Sequence, residues 1–363
     1  MSAFDNDSQV PTEQMAKSVI TRREFVRRGG AFAGALGLPL VLGQRTVDRS
    51  ATGGRASTTS KSIGKGKTIG VSCNGTADYS KNLCTGVAEA LVGTGYGLHI
   101  VQASLSTTTE ISNIESLVNE GVVGIVAEPV SIASAGEGAQ YARKHKVPIT
   151  NALWSGATSE DKYYLAVADV DSVLGGRIIG DWIKKNTQPA SVCVIQGVLG
   201  QGFSEGLSLG LDEALKGSKW KVAVQEQGNF DPVTAVGIVR SALIAHPDIK
   251  IIVDYAAVMG DAIAGYLSGR KQTNLTHITS DGDQSTLHWI STPYCTANRY
   301  YSAAQTGYVC TMAIRQKLET GSAGPFKRSI SQIMMTKQNE PATLKADPMY
   351  YSSMFAAVAK AGF

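Results

Sequence analysis

Short, β-rich apolar runs alternate with stretches of helical period along most of this chain, and that alternation restricts it to a sheet-and-helix layered fold. Runs at 68–73, 98–103, 122–127 and 149–152 read as strands, with helices between them at 83–92, 110–119 and 134–144. A second series starts afresh: helices at 174–184, 205–215, 232–245 and 259–267 alternate with strands at 191–196, 221–227, 249–255 and 277–280. The strands are apolar on both faces, as in a parallel sheet covered by helices on each side. The expected fold class is therefore α/β, with two doubly wound parallel-sheet lobes in tandem. Ligands of such sheets bind beyond the carboxyl ends of the strands, so the loops after Cys73, Ala127, Ala152, Gln196, Tyr255 and Ser280 should face a site.

Ahead of the alternating part, Thr21-Arg22-Arg23-Glu24-Phe25-Val26-Arg27 leads into a Gly/Ala/Leu-rich apolar stretch at 29–43. Paired arginines, an aromatic two residues later and a charge-free run of small residues form the pattern of a twin-arginine export leader. The stretch is shorter than the roughly 20 apolar residues of a spanning helix and contains Pro39, so it does not read as a permanent anchor. Residues 1–45 are assigned to the leader, and 46–65, rich in Ser, Thr, Gly, Arg and Lys, to a flexible linker. A periplasmic product, exported already folded, is expected. Residues 1–67 hold 11 Lys and Arg against 5 Asp and Glu, of 34 and 30 in the chain, so the remainder carries a net charge of −2. That balance, with no basic stripe, argues against a nucleic-acid partner. The five cysteines, Cys73, Cys84, Cys193, Cys295 and Cys310, lack metal-ligand spacing. Cys73 with Cys84, or Cys295 with Cys310, would suit a disulfide in an oxidising compartment, and buried free thiols are the equal alternative.

Several segments have family character. Gly86-Val87-Ala88-Glu89-Ala90 followed by Gly95-Tyr96 looks like a first helix and its exit turn, and Asp171-Ser172-Val173-Leu174-Gly175-Gly176-Arg177 like a lobe crossing. Gln196-Gly197, Phe230-Asp231 and Ala245-His246-Pro247-Asp248 look like parts of a second lobe, and Ser280-Asp281-Gly282 like the turn after a late strand. In this order, over roughly 67–321, they resemble the type I periplasmic binding proteins, in particular the ribose-receptor-like sugar receptors of ABC importers. The resemblance implies a hinge of three crossings, with lobe 1 at 66–170 plus 299–328 and lobe 2 at 171–298 plus 329–340. Residues 341–363 extend past the family pattern and receive no role. It further implies a monomer that captures a sugar or sugar-like molecule between its lobes and docks on a membrane permease. No cofactor, metal or catalysis is expected.

A sugar receptor needs carboxylates and amides to accept hydroxyl protons, a cation to donate back, and aromatic faces to cover the ring. By the resemblance, Asp281 accepts from ligand hydroxyls and Phe230 lies against the sugar; an Asx turn and a core position are their alternatives. Glu128 stands where relatives carry a polar ligand-facing side chain, and an unpaired carboxylate there is hard to explain as core. Asn74, Asp78 and Tyr79 follow the first strand, Tyr79 matching one of the family's paired aromatics. Arg299 takes the place of a common Gln and suits either a ligand clamp or a hinge salt bridge. Trp154 and Tyr255 complete the expected ligand-binding set. Leu153-Trp154 replaces an Asp-Arg pair, Ala256 replaces an Asn, and Glu205 or its neighbour replaces an Arg. Those departures point away from ribose, toward a larger, less hydroxylated or partly aromatic ligand.

Two other classes compete. The same fold serves a ligand-sensing receptor for a membrane signalling partner. An exported hydrolase is weaker: His-Glu-x-x-His, a Walker loop and a Gly-x-Gly-x-x-Gly after the first strand are absent, and His99, His145, His246, His277 and His288 are scattered.

Overall fold

The computed structural model describes residues 61–63, 67–153, 161–322, 326–347, 352 and 354–360. The expected leader, most of the expected linker and Trp154 lie outside the described residues. Lys61–Ile63, placed in the linker from composition, instead forms strand β1, paired antiparallel with a neighbour at the sheet edge.

The chain continues through β2 (Thr68–Cys73), α1 (Asp78–Leu91), β3 (Gly97–Gln102), α2 (Thr107–Asn119), β4 (Gly124–Ala127), α3 (Ile132–Lys144), β5 (Ile149–Asn151) and β6 (Ala166–Asp169). There it crosses to α4 (Ser172–Asn186), β7 (Ser191–Gln196), α5 (Phe203–Leu215), β8 (Lys221–Gln227), α6 (Pro232–Ala245) and β9 (Ile249–Asp254). Next come α7 (Ala257–Gly269), β10 (Thr276–Asp281), α8 (Gln284–Ile290) and β11 (Ala297–Tyr300). The last described elements are α9 (Ala303–Thr320), β12 (Phe326–Ser329), β13 (Ile333–Met335), α10 (Glu340–Ala346) and α11 (Met354–Lys360).

Two sheets result, ordered β1-β3-β2-β4-β5-β6-β12 and β13-β11-β10-β9-β7-β8. Every pairing is parallel except those of the edge strands β1 and β13. Central strands such as β2, β4 and β7 are buried on both faces because helices cover both. β8 departs from that pattern: it is the sheet's outer strand, and its Lys-Val-Ala-Val-Gln-Glu-Gln sequence leaves most residues exposed. Helix starts follow local chemistry. Ser106, Ser131, Asp171, Asp231 and Ser302 each accept from a backbone N–H one turn in, and Pro232 opens α6.

Two of the expected boundaries shift: β12 stays in the first sheet through Ser329. β11 belongs to the second sheet through Tyr300, so the return to the first lobe begins after that residue and not at 299. Asn298 and Arg299 are fully buried in that strand, which extends past the boundary that the resemblance implies. The extension has a place in both lobes: Leu344 of α10 packs with Leu287, Ile290 and Met335, and Val358 of α11 joins the cluster that includes Leu83 and Val87.

Glycines set the closest helix contacts. A Cβ at Gly210 of α5 would fall 1.9 Å from the Val173 carbonyl oxygen of the α4 region, and one at Gly86 of α1 would fall 1.8 Å from that of Ala304 in α9. Gly210→Ala should therefore force two backbones apart and cost about 1–3 kcal/mol or more. Gly237→Ala, in α6 with open space around it, should gain up to about 1 kcal/mol. Urea unfolding of both variants checks the pair, and equal effects would contradict the packing described.

Candidate functional site

A cavity of about 350 Å³ lies between the lobes, lined by loops after β2, β3, β4 and β5 from one side and after β7, β8, β9 and β10 from the other. These are carboxyl ends of parallel strands on both sheets, where such folds place ligands. Of the residues expected to bind ligand, Asn74, Tyr79, Glu128, Phe230, Tyr255 and Asp281 line this cavity together. Backbone strain concentrates there as well: Ser104, Leu105, Phe230 and Asp281 line it with φ of 50°, 58°, 57° and 80°. Non-glycine residues hold such angles only where the surrounding structure over-determines them.

Glu128 directly follows β4, and its backbone N–H donates to the Ser72 carbonyl, which continues the sheet register into the site. Its side chain is 1% exposed and accepts from the Asn74 N–H at 3.3 Å. Burial, opposed in part by bonds from Ser80 and Asn74, pushes the carboxyl up to about 8. Asp281 ends β10; one oxygen accepts from the Tyr301 hydroxyl at 2.8 Å and the other from the Ala257 N–H at 3.2 Å. Burial raises this carboxyl above its ordinary range, against the pull of Arg299 and these two bonds. Asp283 accepts from Asn82 Nδ2 at 3.1 Å, a bond from α1 across the cleft. Burial, then the neighbouring Asp281 charge, raises Asp283 further.

Some expected contacts lie elsewhere. Asp78 is not in the lining; it opens α1 and pairs with Lys81 at 2.9 Å. Arg299 sits behind the wall, wholly buried, with Nη2 3.8 Å from Asp281, Nη1 donating to Gln332 at 2.6 Å and Nε to Ser280 at 3.3 Å. Tyr255 presents its ring, while its hydroxyl bonds Ser208 at 3.1 Å. Glu205 turns to its own loop, accepting from the Gly202 N–H at 3.0 Å and the Gly200 N–H, so it does not stand in for a ligand-facing arginine.

Sequence reading missed Gln201, Phe203, Asp283 and Tyr301, all of which line the cavity. Asp283 was within reach, two residues beyond Asp281 in the same turn. Gln201 lies in the loop after β7 that was expected to face the site, and Phe203 opens α5 at the end of that loop. The sequence also contains Gly202-Phe203-Ser204-Glu205-Gly206, the spacing of a nucleophile elbow. Ser204 is fully buried in the first turn of α5 and accepts from the Gly197 N–H at 3.0 Å, with no histidine bonded to it. His277, the fully buried histidine, bonds Asp254 at 2.8 Å and the Tyr294 carbonyl instead. Among the described residues no group of metal-ligating side chains gathers. All five cysteines are buried free thiols; Cys73 and Cys84 touch at 3.4 Å between sulfurs. Cys295 and Cys310 sit in different lobes, bonded to Ala297 and Asn151, which overturns their pairing.

Two wound sheets with a polar and aromatic cavity between them define a bilobal α/β fold. The chain belongs to the periplasmic binding protein domain family, whose model matches residues 69–322. It is 25% identical over 159 residues to the ribose import binding protein RbsB of Escherichia coli, covering 44% of this chain and 53% of that protein. The chain thus spans about half the length of the curated relatives it matches. In fold it resembles an ABC transporter solute binding protein from Burkholderia graminis in complex with D-arabinose, with a TM-score of 0.70 and 18% identity, over 76% of this chain and 97% of that one. A galactofuranose binding protein aligns with a TM-score of 0.71 and 18% identity, over 79% and 100% respectively. Membership of this family implies a periplasmic location.

The buried carboxyls generate a pH dependence. Burial pushes Glu110, which holds Ser134 and the Val130 N–H, up to about 7, and Glu128 up to about 8, from 4.5. The fold binds these protons more tightly than the unfolded chain, so stability is greatest below about pH 4.5 for these groups and falls as pH rises toward 7–8. Glu128→Gln should gain on the parent across that window, at about 1.4 kcal/mol per pH unit. Thermal melts from pH 5 to 8 check the sign; a constant difference between the two proteins would contradict it.

Proposed function

We propose that this protein is an exported solute receptor that captures a sugar or sugar-like molecule between its lobes and delivers it to an ABC importer. The observation that carries this reading is one cavity built from both lobes, with carboxylates, amides and aromatic rings converging on it. The named relatives, which are described as binding ribose, D-arabinose and galactofuranose, support the sugar class. Export by the twin-arginine pattern at residues 21–27 belongs to the proposal, as do a monomeric state, a membrane permease as partner and the absence of catalysis.

Closure of the lobes follows from where the contacts lie. Gln201 Nε2 donates to the Pro129 carbonyl at 3.0 Å, the Ile132 N–H to Gly200 at 3.4 Å, and Asn82 to Asp283 at 3.1 Å, each across the cleft. A ligand touching Asn74, Tyr79 and Glu128 on one lobe and Phe230, Tyr255 and Asp281 on the other adds free energy only to the closed form, which shifts the population toward it. Replacement of the ribose-receptor Asp-Arg pair by Leu153-Trp154 and of an Asn by Ala256 favours a ligand other than ribose.

A thermal-shift screen of the purified protein against sugars, polyols and aromatic glycosides tests this reading. A ligand at a thousand times its Kd should add about 4 kcal/mol of stability and be recovered chemically unchanged. Asp281→Ala should weaken that binding by about 1–3 kcal/mol. No stabilisation across the panel, or conversion of the ligand to product, would overturn the reading.

A further inference from the structure

Three carboxyl groups, Glu128, Asp281 and Asp283, line the same cavity at 1%, 8% and 3% exposure. Among the described residues no Lys, Arg or His lines it. The nearby cations have partners of their own. Arg299 lies behind Asp281 at 3.8 Å, Lys81 pairs with Asp78 at 2.9 Å, and His277 with Asp254 at 2.8 Å. Glu128 and Asp283 are left with neutral donors, the Asn74 N–H and Ser80 hydroxyl for the one and the Asn82 amide for the other. A carboxylate withdrawn from water without a counter-charge is costly, so the pair must either hold protons or meet a cation. The rest of the wall favours a cation. Tyr79, Phe203, Phe230, Tyr255 and Tyr301 surround the carboxyls with aromatic rings, whose faces attract ammonium groups. Two of these rings already carry one cation, with the Arg299 guanidinium 5.2 Å from the Phe203 centroid and 4.7 Å from that of Tyr301.

We propose, resting on the reading of this cavity as the solute site, that its ligand carries an ammonium group, as an amino sugar or aminated polyol does, held by Glu128 of one lobe and Asp283 of the other. Like charges on the two lobes repel across the cleft, and a cation between them converts that repulsion into a closing force. A neutral sugar of the same size supplies hydrogen bonds but not this switch of sign. The titratable groups around Glu128 are Cys73 of β2, Tyr79 of α1, Glu110 of α2, and Asp281 and Asp283 across the cleft, and none is a cation. An ammonium beside Glu128 therefore favours its carboxylate, and binding near neutral pH should release a proton to the buffer.

Isothermal titration of the purified protein with matched probes tests this: D-glucosamine against D-glucose, D-galactosamine against D-galactose, the N-acetylated forms of both amines, and putrescine as an amine without a ring. An amino sugar should bind about tenfold tighter, or more, than its neutral and N-acetylated counterparts. Its binding heat should also vary with the ionisation heat of the buffer. Glu128→Gln and Asp283→Asn, each verified as folded by its melting curve, should lower the amine-to-neutral ratio; either variant alone suffices should the other not fold. Neutral sugars binding as tightly as the amines, or variants that leave the ratio unchanged, overturn the ammonium assignment and leave the sugar reading standing. Putrescine binding while every sugar fails supports the ammonium and overturns the sugar reading. Failure of all probes overturns both.

Discussion

The guanidinium of Arg299 is the contact on which the cleft depends. It is fully buried at the end of β11, where an unpaired charge would be severely destabilising, and its neighbours come from each part of the hinge. Gln332, between β12 and β13, accepts its Nη1 proton and in turn donates to the Asp171 carbonyl at the first crossing. Ser280 holds its Nε, the Phe203 and Tyr301 ring centroids lie 5.2 and 4.7 Å away, and Asp281 faces its remaining nitrogen. Sequence reading offered Arg299 as a ligand clamp or as a hinge salt bridge. The geometry is that of the salt bridge: Arg299 lies behind the cavity wall with Asp281 at 3.8 Å.

Asp281 illustrates the consequence. Its φ of 80° is unfavourable for a residue with a side chain, yet Tyr301, Ala257 and Arg299 fix both carboxylate oxygens. The following Gly282, also in the left-handed region, allows the turn, because a Cβ there would fall 2.2 Å from the Tyr300 ring. Asp283 is thereby delivered two residues later into reach of Asn82 on the opposite lobe. One strained turn thus supplies both a wall carboxylate and a cross-lobe contact. A net worth of about 0.5–1.5 kcal/mol for such a bond makes the cross-lobe contact individually weak.

The two-lobe architecture was legible because parallel strands covered on both faces are predominantly apolar, and segments such as β2, β4 and β7 carry that signature. Glu128 and Asp281 were legible as lining residues for the same topological reason, Glu128 marked by a charge directly after an apolar strand. What stayed hidden depends on tertiary company. Nothing local separates Arg299 behind the wall from Asp281 in it, since both are charged residues at the ends of neighbouring strands. Asp78 precedes Tyr79 by one residue, but on a helix one step turns the side chain by about 100°, and it meets Lys81 instead of the cleft. Lys61–Ile63 looks like linker by composition and becomes a strand only because β3 offers it an unpaired edge.

The C-terminal segment bears on how far the lobes can separate. α10 is anchored on the second lobe through Leu344, with Asp347 accepting from the Tyr300 hydroxyl, and α11 on the first through Val358, with Ser352 bonded to Glu89. The chain therefore passes between lobes once more than the three crossings of the family pattern. From Asp347 to Ser352 it has five residue steps, which reach roughly 17 Å at full extension. Any movement of the lobes that keeps both anchors cannot carry them further apart than that.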